Sequence, residues 1–338
     1  MLGFVQSAHA ARNDYAACSG CSLCQLVCPV WRRTRDLRLT PHGRAKALQH
    51  GATIADIAPS IEACALCGAC EPVCPENIGL VDMVMNLRRA LPPSTIAQDL
   101  QTRMQEETSR PLATRSASAR ALLAGAALFR RRALLAHISA LLGGARRIAV
   151  ESDNGADIAL ALEIGAALPP QRIERFLAPL RLRKTIIVAD GMLRRSLRGW
   201  LPRAQIVSLG VALSTLAPIR RRLRAGDLYV IEPRAYHADY DTLVKYYDRL
   251  RVDTGCAMNL DLQRIAIPAA TSSLPQRLGR ETPADGEQLR WLLKGRSVSR
   301  IVVENEDDRA AFEQVCAIPV VHLAELADHE ALTEGMHS

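Results

Sequence analysis

Ten cysteines occur in the 338 residues, and eight of them fall into two runs of the same spacing. The first is Cys18-Ser19-Gly20-Cys21-Ser22-Leu23-Cys24-Gln25-Leu26-Val27-Cys28-Pro29. The second is Cys64-Ala65-Leu66-Cys67-Gly68-Ala69-Cys70-Glu71-Pro72-Val73-Cys74-Pro75. Both read C-x2-C-x2-C-x3-C-P. A loop with this spacing wraps three thiolates around one cubane [4Fe-4S] cluster, and the fourth cysteine, carried away on the following helix, reaches a neighbouring cluster. Cys18, Cys21, Cys24 and Cys74 are therefore assigned to one cluster, and Cys64, Cys67, Cys70 and Cys28 to the other. Pro29 and Pro75 fix φ and remove a backbone donor, so the chain departs from each site. Crossed ligation of this kind ties two arms together and keeps two clusters close, which suits electron hopping.

Other uses of cysteine fit the spacing less well. Zinc sites take paired C-x2-C arms, two plus two, whereas here the thiols come three plus one, twice. A disulfide framework belongs to oxidising compartments, and Met1–Ala17 has neither the basic lead nor the apolar run of a secretory signal. No stretch approaches the ~20 apolar residues of a membrane span. The expected location is the cytoplasm, with peripheral contact at the inner face of the cell membrane as the variant. The formal charge of +8 is carried almost wholly by arginine, with lysine only at 46, 184, 245 and 294. These arginines are scattered among apolar residues with few aromatics between them. A solvated or partner-facing surface is expected, and no nucleic-acid partner.

The elements that must hold the cysteines follow from local signals. Thr40-Pro41-His42-Gly43-Arg44 has the cap and first-turn proline of a helix start, which returns the chain to the second run. After Pro75, Leu80, Val84, Leu87 and Leu91 recur at helical spacing and predict a helix against the clusters. Ser94–Arg110 reads as a further helix. Ala117–Arg147, with the triplet Arg130-Arg131-Arg132, reads as two short helices, one basic and amphipathic enough to lie on a membrane or to dock on protein. From 146 onward, short β-branched runs at Arg147–Glu151, Thr185–Ala189, Gln205–Leu209, Leu228–Glu232, Arg300–Glu304 and Pro319–Leu323 alternate with helical patterns. That alternation predicts βαβ units and a mainly parallel sheet. The expected fold is α+β overall. Residues 1–93 form a mostly helical, ferredoxin-like two-cluster domain, 94–145 a helical connector, 146–330 an α/β domain and 331–338 a tail. No G-x-G-x-x-G or G-x4-G-K-[ST] accompanies the strands, so no nucleotide fingerprint is present.

The cysteine frame, the Pro-His-Gly-Arg spacer and the order of parts resemble the iron–sulfur subunits of glycolate oxidase and anaerobic glycerol-3-phosphate dehydrogenase, relatives of heterodisulfide reductase. The resemblance is closest over Cys18–Arg89 and is weaker beyond 146. It implies two cysteine-rich α/β repeats, each with a Cys-Cys-Gly signature. Here that signature is missing. Glu232-Pro233-Arg234 stands where the family has Asp-Pro-Cys, Thr254-Gly255-Cys256 near a Cys-Cys-Gly, and Glu304-Asn305-Glu306-Asp307 where a late Cys-x-x-Cys belongs. The α/β half is thus read as a degenerate cysteine-rich domain kept as scaffold.

Cys256 and Cys316 read as ordinary buried thiols, with Cys256 the weak catalytic candidate of a heterodisulfide-reductase-like alternative. Arg234 or His237 is the candidate anion contact at a strand's carboxyl edge. Glu304–Asp308 reads as a helix-start charge pattern. The resemblance implies an electron-transfer subunit without a substrate site of its own. FAD would sit on a partner dehydrogenase that oxidises a 2-hydroxy acid such as glycolate or lactate, and electrons would leave to a quinone or another carrier. A non-catalytic iron–sulfur scaffold is the other alternative. Cluster potentials are expected to follow burial and backbone N–H···S bonds.

Overall fold

Local signals translate directly into structure around the cysteine runs. The computed structural model describes residues 15–110, 117–270, 274–280 and 286–327; the tail at 331–338 lies outside them. Helices α1 (Leu23–Leu26) and α2 (Pro29–Thr34) carry the end of the first run. Pro41 opens α3 (Pro41–Gln49), and the Thr40 side chain accepts the Gly43 N–H as its cap. Helix α4 (Ala58–Ala63) leads into the second run, and α5 (Leu80–Arg89) follows it with Val81, Val84 and Met85 buried. Ser94 caps α6 (Thr95–Ser109) through the Ala97 N–H.

Two four-stranded, wholly parallel sheets come next. The first holds β1 (Arg120–Leu123), β2 (Ala149–Val150), β3 (Thr185–Val188) and β4 (Gln205–Ser208) in the order β2-β1-β3-β4. Its helices are α7 (Gly125–Arg130), α8 (Arg132–Leu141), α9 (Ala156–Ile164), α10 (Pro170–Leu180), α11 (Gly191–Trp200), α12 (Leu209–Ser214) and α13 (Ala217–Arg220). The second holds β5 (Asp227–Val230), β6 (Ala257–Met258), β7 (Arg300–Val303) and β8 (Val320–His322) in the order β6-β5-β7-β8. Its helices are α14 (Pro233–His237), α15 (Tyr240–Thr254), α16 (Leu274–Arg277), α17 (Glu287–Leu293) and α18 (Glu306–Glu313). The register repeats as well: Arg120 pairs with Thr185 in one sheet as Asp227 pairs with Arg300 in the other. One topology has been used twice.

Two expectations change here. The stretch read as a pair of helices within a connector ending at 145 opens with β1, an inner strand, so the α/β part begins near 118. Arg120-Ala121-Leu122-Leu123 puts three apolar residues after an arginine, none of them β-branched, and periodicity alone cannot tell so short a run from a helix. Its flanking partners β2 and β3 settle it. The α/β half is also two sheets rather than one.

Strand side chains alternate between faces, and each face has its own partner. Leu122 and Ile187 of the first sheet share a buried cluster with Tyr229 and Val302 of the second. The opposite face of the first sheet, Ala121, Leu123, Ile186 and Val188, shares a core with Leu48, Ile61, Leu66, Val81 and Val84 of the cysteine-bearing segment. The cysteine segment is thus built onto the first sheet's outer layer. Helix α8, beside the arginine triplet, buries Leu134, Leu135 and Ile138 in the core between the sheets, so its apolar face meets protein. Among the described residues no helix is long and apolar enough to cross a membrane.

Candidate metal centre

The two cysteine loops share one backbone conformation. Gly20 and Leu66 occupy the same place in their runs and both have positive φ, 85° and 52°. Ser22 and Gly68, after the second cysteine of each run, repeat this at 64° and 78°. Left-handed residues curl the loop; holding Leu and Ser there is unfavourable by about 1 kcal/mol each. That the strain recurs at equivalent positions marks it as a requirement of the loop, since such strain persists only where the surroundings impose it.

Curled in this way, the cysteines line two neighbouring cavities. One, of about 360 Å³ with its mouth included, is lined by Cys18, Cys21, Cys24 and Cys74, together with His42, Glu76, Ile78 and others. The second, of about 440 Å³, is lined by Cys28, Cys64, Cys67 and Cys70 with Arg44, Leu66, Val81 and Val84 among its other walls. Each cavity therefore combines three cysteines of one run with the fourth of the other. Among the described residues no group of three or more His, Cys, Asp or Glu side chains is placed to hold a single metal ion. These thiols surround a volume instead of converging on a point.

The donor chemistry fits a cationic iron–sulfide core. Burial and the neighbouring Cys18, Cys28, Cys74 and Cys21 push the Cys24 thiol up to about 12. Burial does the same to Cys67, also to about 12, and raises Cys70 and Cys28. Four thiolates so close together need compensating positive charge, and metal ligation deprotonates such thiols outright. Amide groups already meet the sulfurs of the second set: the Leu66 N–H donates to Cys64 Sγ at 3.5 Å, and those of Ala69, Val30 and Trp31 favour the Cys67 and Cys28 thiolates.

The second loop is clamped by Arg88 of α5 and by side chains from the far half of the chain. Arg88 donates to the Cys64, Ile61 and Glu163 carbonyl oxygens. Arg234 donates to the Ala65 carbonyl at 3.1 Å and pairs with the Glu163 carboxylate. His237 Nδ1 donates to the Cys67 carbonyl at 2.7 Å while its Nε2 accepts the Ala266 N–H at 3.1 Å, which sets a neutral ring; burial holds it down at about 4. Arg195 grips Glu71 at 2.7 and 2.9 Å and Asp82 at 3.0 and 3.2 Å, and Glu71 in turn accepts the Val81 N–H. Arg32 reaches Asp261 at 2.9 Å.

Several sequence expectations are corrected at this point. Arg234 and His237, read as a candidate anion contact at a strand's carboxyl edge or else as parts of a solvated loop, are instead engaged within the protein, on the Ala65 carbonyl and Glu163 and on the Cys67 carbonyl. Pro233 opens α14 and Glu232 caps it, which turns both side chains into the seam against the second cysteine loop. Glu304 is no part of a helix-start pattern. It is buried at the end of β7, where its carboxylate accepts from Tyr229, Tyr247 and the Glu232 N–H. Asn305 is the cap, and Glu306, Asp307 and Asp308 form the acidic first turn of α18. Cys256, the catalytic candidate, follows Gly255 at φ 70°, and its thiol is buried, accepts from Thr254 Oγ1 at 3.1 Å and is raised by burial. A protonated core thiol of this kind is a poor nucleophile. Cys316 donates to the Phe312 carbonyl at the end of α18.

Arg88, Glu163, Glu71 and Arg195 carry no sequence signal that would single them out. Arg195 and Glu71 are separated by 124 residues, and only the docking of α11 brings them together.

A family model described as a 4Fe-4S dicluster domain matches residues 14–78. No curated protein and no solved structure matches the chain. The match, confined to the cysteine-bearing segment, supports an iron–sulfur protein with an electron-transfer role.

Proposed function

We propose that this chain is the electron-transfer subunit of an oxidoreductase complex, with one [4Fe-4S] cluster on Cys18, Cys21, Cys24 and Cys74 and a second on Cys64, Cys67, Cys70 and Cys28. The observation that carries the reading is the composition of the two cavities, three cysteines from one run and one from the other in each. A cubane, once bound, stores and releases single electrons. The chain's own residues supply the thiolates, exclude water from the second site and hold the two loops side by side. The exposure of Cys21, which lines the first cavity, supports approach of a partner to that site. The partner is an FAD-containing dehydrogenase acting on a 2-hydroxy acid such as glycolate or lactate, and the onward acceptor is a quinone or another carrier. That part of the reading rests on the resemblance of the cysteine frame and the Gly43-Arg44 spacer.

The experiment is anaerobic purification of the chain with its companion, iron and sulfide analysis, and low-temperature EPR after reduction. Two reducible cubanes per chain and a co-purifying flavoprotein are expected. Cys21→Ser and Cys67→Ser should each lose one cluster and stop electron transfer from the reduced flavin. Zinc at the eight thiolates, or full iron and unimpaired transfer in both variants, would overturn the assignment.

A further inference from the structure

The two cavities differ in the charged side chains that line them, and one of these has donors left over. Arg44, at 1% exposure, lines the cavity of Cys28, Cys64, Cys67 and Cys70. One Nη donates to the Ser60 carbonyl at 2.7 Å, while Nε and the other Nη are buried without a partner. A buried guanidinium with two idle donors and no carboxylate bonded to it is strongly unfavourable unless an anion lies beside it. Arg88 and Arg234 stand on the far side of the same loop, but Arg234 is paired with Glu163. Among the described residues no arginine lines the other cavity, whose walls include Glu76 and His42; the cation beside it, Lys46, already donates to the Cys18 carbonyl at 3.3 Å and to Gln49 Oε1 at 2.7 Å.

On the two-cluster reading above, we infer that Arg44 donates N–H···S hydrogen bonds to the cluster of Cys28, Cys64, Cys67 and Cys70 and makes it the higher-potential member of the pair. Four thiolates outweigh the charge of the iron–sulfide core, so the bound cluster is anionic and becomes more so on reduction. A cation with free donors in contact with it favours the reduced form, which raises the potential. Deeper burial of this cluster acts the other way, since added charge is harder to hold in a dry site. Direct contact with an otherwise uncompensated guanidinium outweighs it. In the one-electron-reduced chain the electron therefore rests on the inner cluster, next to the α/β half, and the cluster at Cys21 is the relay toward the surface.

The test is an EPR-monitored redox titration of the full chain under argon. Wild type should show two separate one-electron steps, and the signal that appears first should be altered by Cys67→Ser and not by Cys21→Ser. Arg44→Gln should keep full iron and lower the reduction constant of that first centre at least tenfold, 59 mV for one electron, leaving the second within twofold; Arg44→Lys should fall between. Unmoved steps in an iron-replete Arg44→Gln protein would overturn the inference and leave the two-cluster reading standing. A wild type with no reducible centre would sink that reading itself. Should Arg44→Gln fail to hold iron, pulsed EPR of the wild type grown on ¹⁵N-arginine decides: a ¹⁵N coupling at the first-reduced centre is expected, and its absence overturns the inference.

Discussion

The seam between the second cysteine loop and the α/β half turns on Arg234 and Glu163, whose side chains are 10% and 3% exposed. Arg234→Met removes the guanidinium paired with the buried Glu163 carboxylate, and removing one member of a buried pair costs about 3–5 kcal/mol. The lost hydrogen bond to the Ala65 carbonyl adds about 1 kcal/mol. Glu163→Met strands the guanidinium instead, at about the same 3–5 kcal/mol. The double variant removes both charges and leaves two apolar side chains of similar length. Replacing a whole buried pair in this way is often close to neutral, so its cost should fall to about 2 kcal/mol, mostly the orphaned Ala65 carbonyl. The single variants together cost at least about 7 kcal/mol against about 2 for the double, so the cycle predicts a coupling of at least about 5 kcal/mol between the two residues. The assay is anaerobic urea denaturation followed by far-UV circular dichroism and by the visible absorption of the clusters. In Arg234→Met the visible signal should go at lower urea than the helical signal, because Ala65 lies inside the second cysteine loop. Additive costs, or an Arg234→Met protein as stable as wild type, would show that this pair does not hold the seam.

Two further outcomes follow from buried groups in the second sheet. His322 donates from Nε2 to the Glu304 carbonyl and accepts the Ala324 N–H at Nδ1, and burial lowers its pKa to about 4 from 6.5. The unfolded chain takes up this proton below pH 6.5 and the folded one only near 4, so the stabilising contribution is whole above 6.5 and is lost on acidification. The advantage of wild type over His322→Gln, measured by chemical denaturation, should shrink by about 3 kcal/mol between pH 7 and pH 4; a pH-independent difference contradicts it. Gly210 is the second case: a Cβ there would lie 2.0 Å from Glu304 Cδ, against the carboxylate that holds Tyr229 and Tyr247. Gly210→Ala should lower the thermal midpoint, since overpacking of about 1–3 kcal/mol exceeds the ~1 kcal/mol helix-propensity gain; an unchanged or raised midpoint refutes the packing argument.

What was legible in the sequence was whatever chain neighbours decide among themselves. Eight thiols at cluster spacing, the Thr40 cap before Pro41, the helix after Pro75 and six of the eight strands are local patterns, and each emerged within a residue or two of its expected place. The missed strands β1 and β6 are short runs, four residues and two, whose strand character comes from β-sheet partners far along the chain. Tertiary structure alone decided that Glu232-Pro233-Arg234 turns inward as a clamp on the second cysteine loop. It also decided that Arg195 meets Glu71 and that Arg44 is left with free donors facing the inner thiols. Spacing along a chain dictates which ligands can share a loop. Which charges are buried beside them depends on how separate elements dock, and no local pattern encodes that.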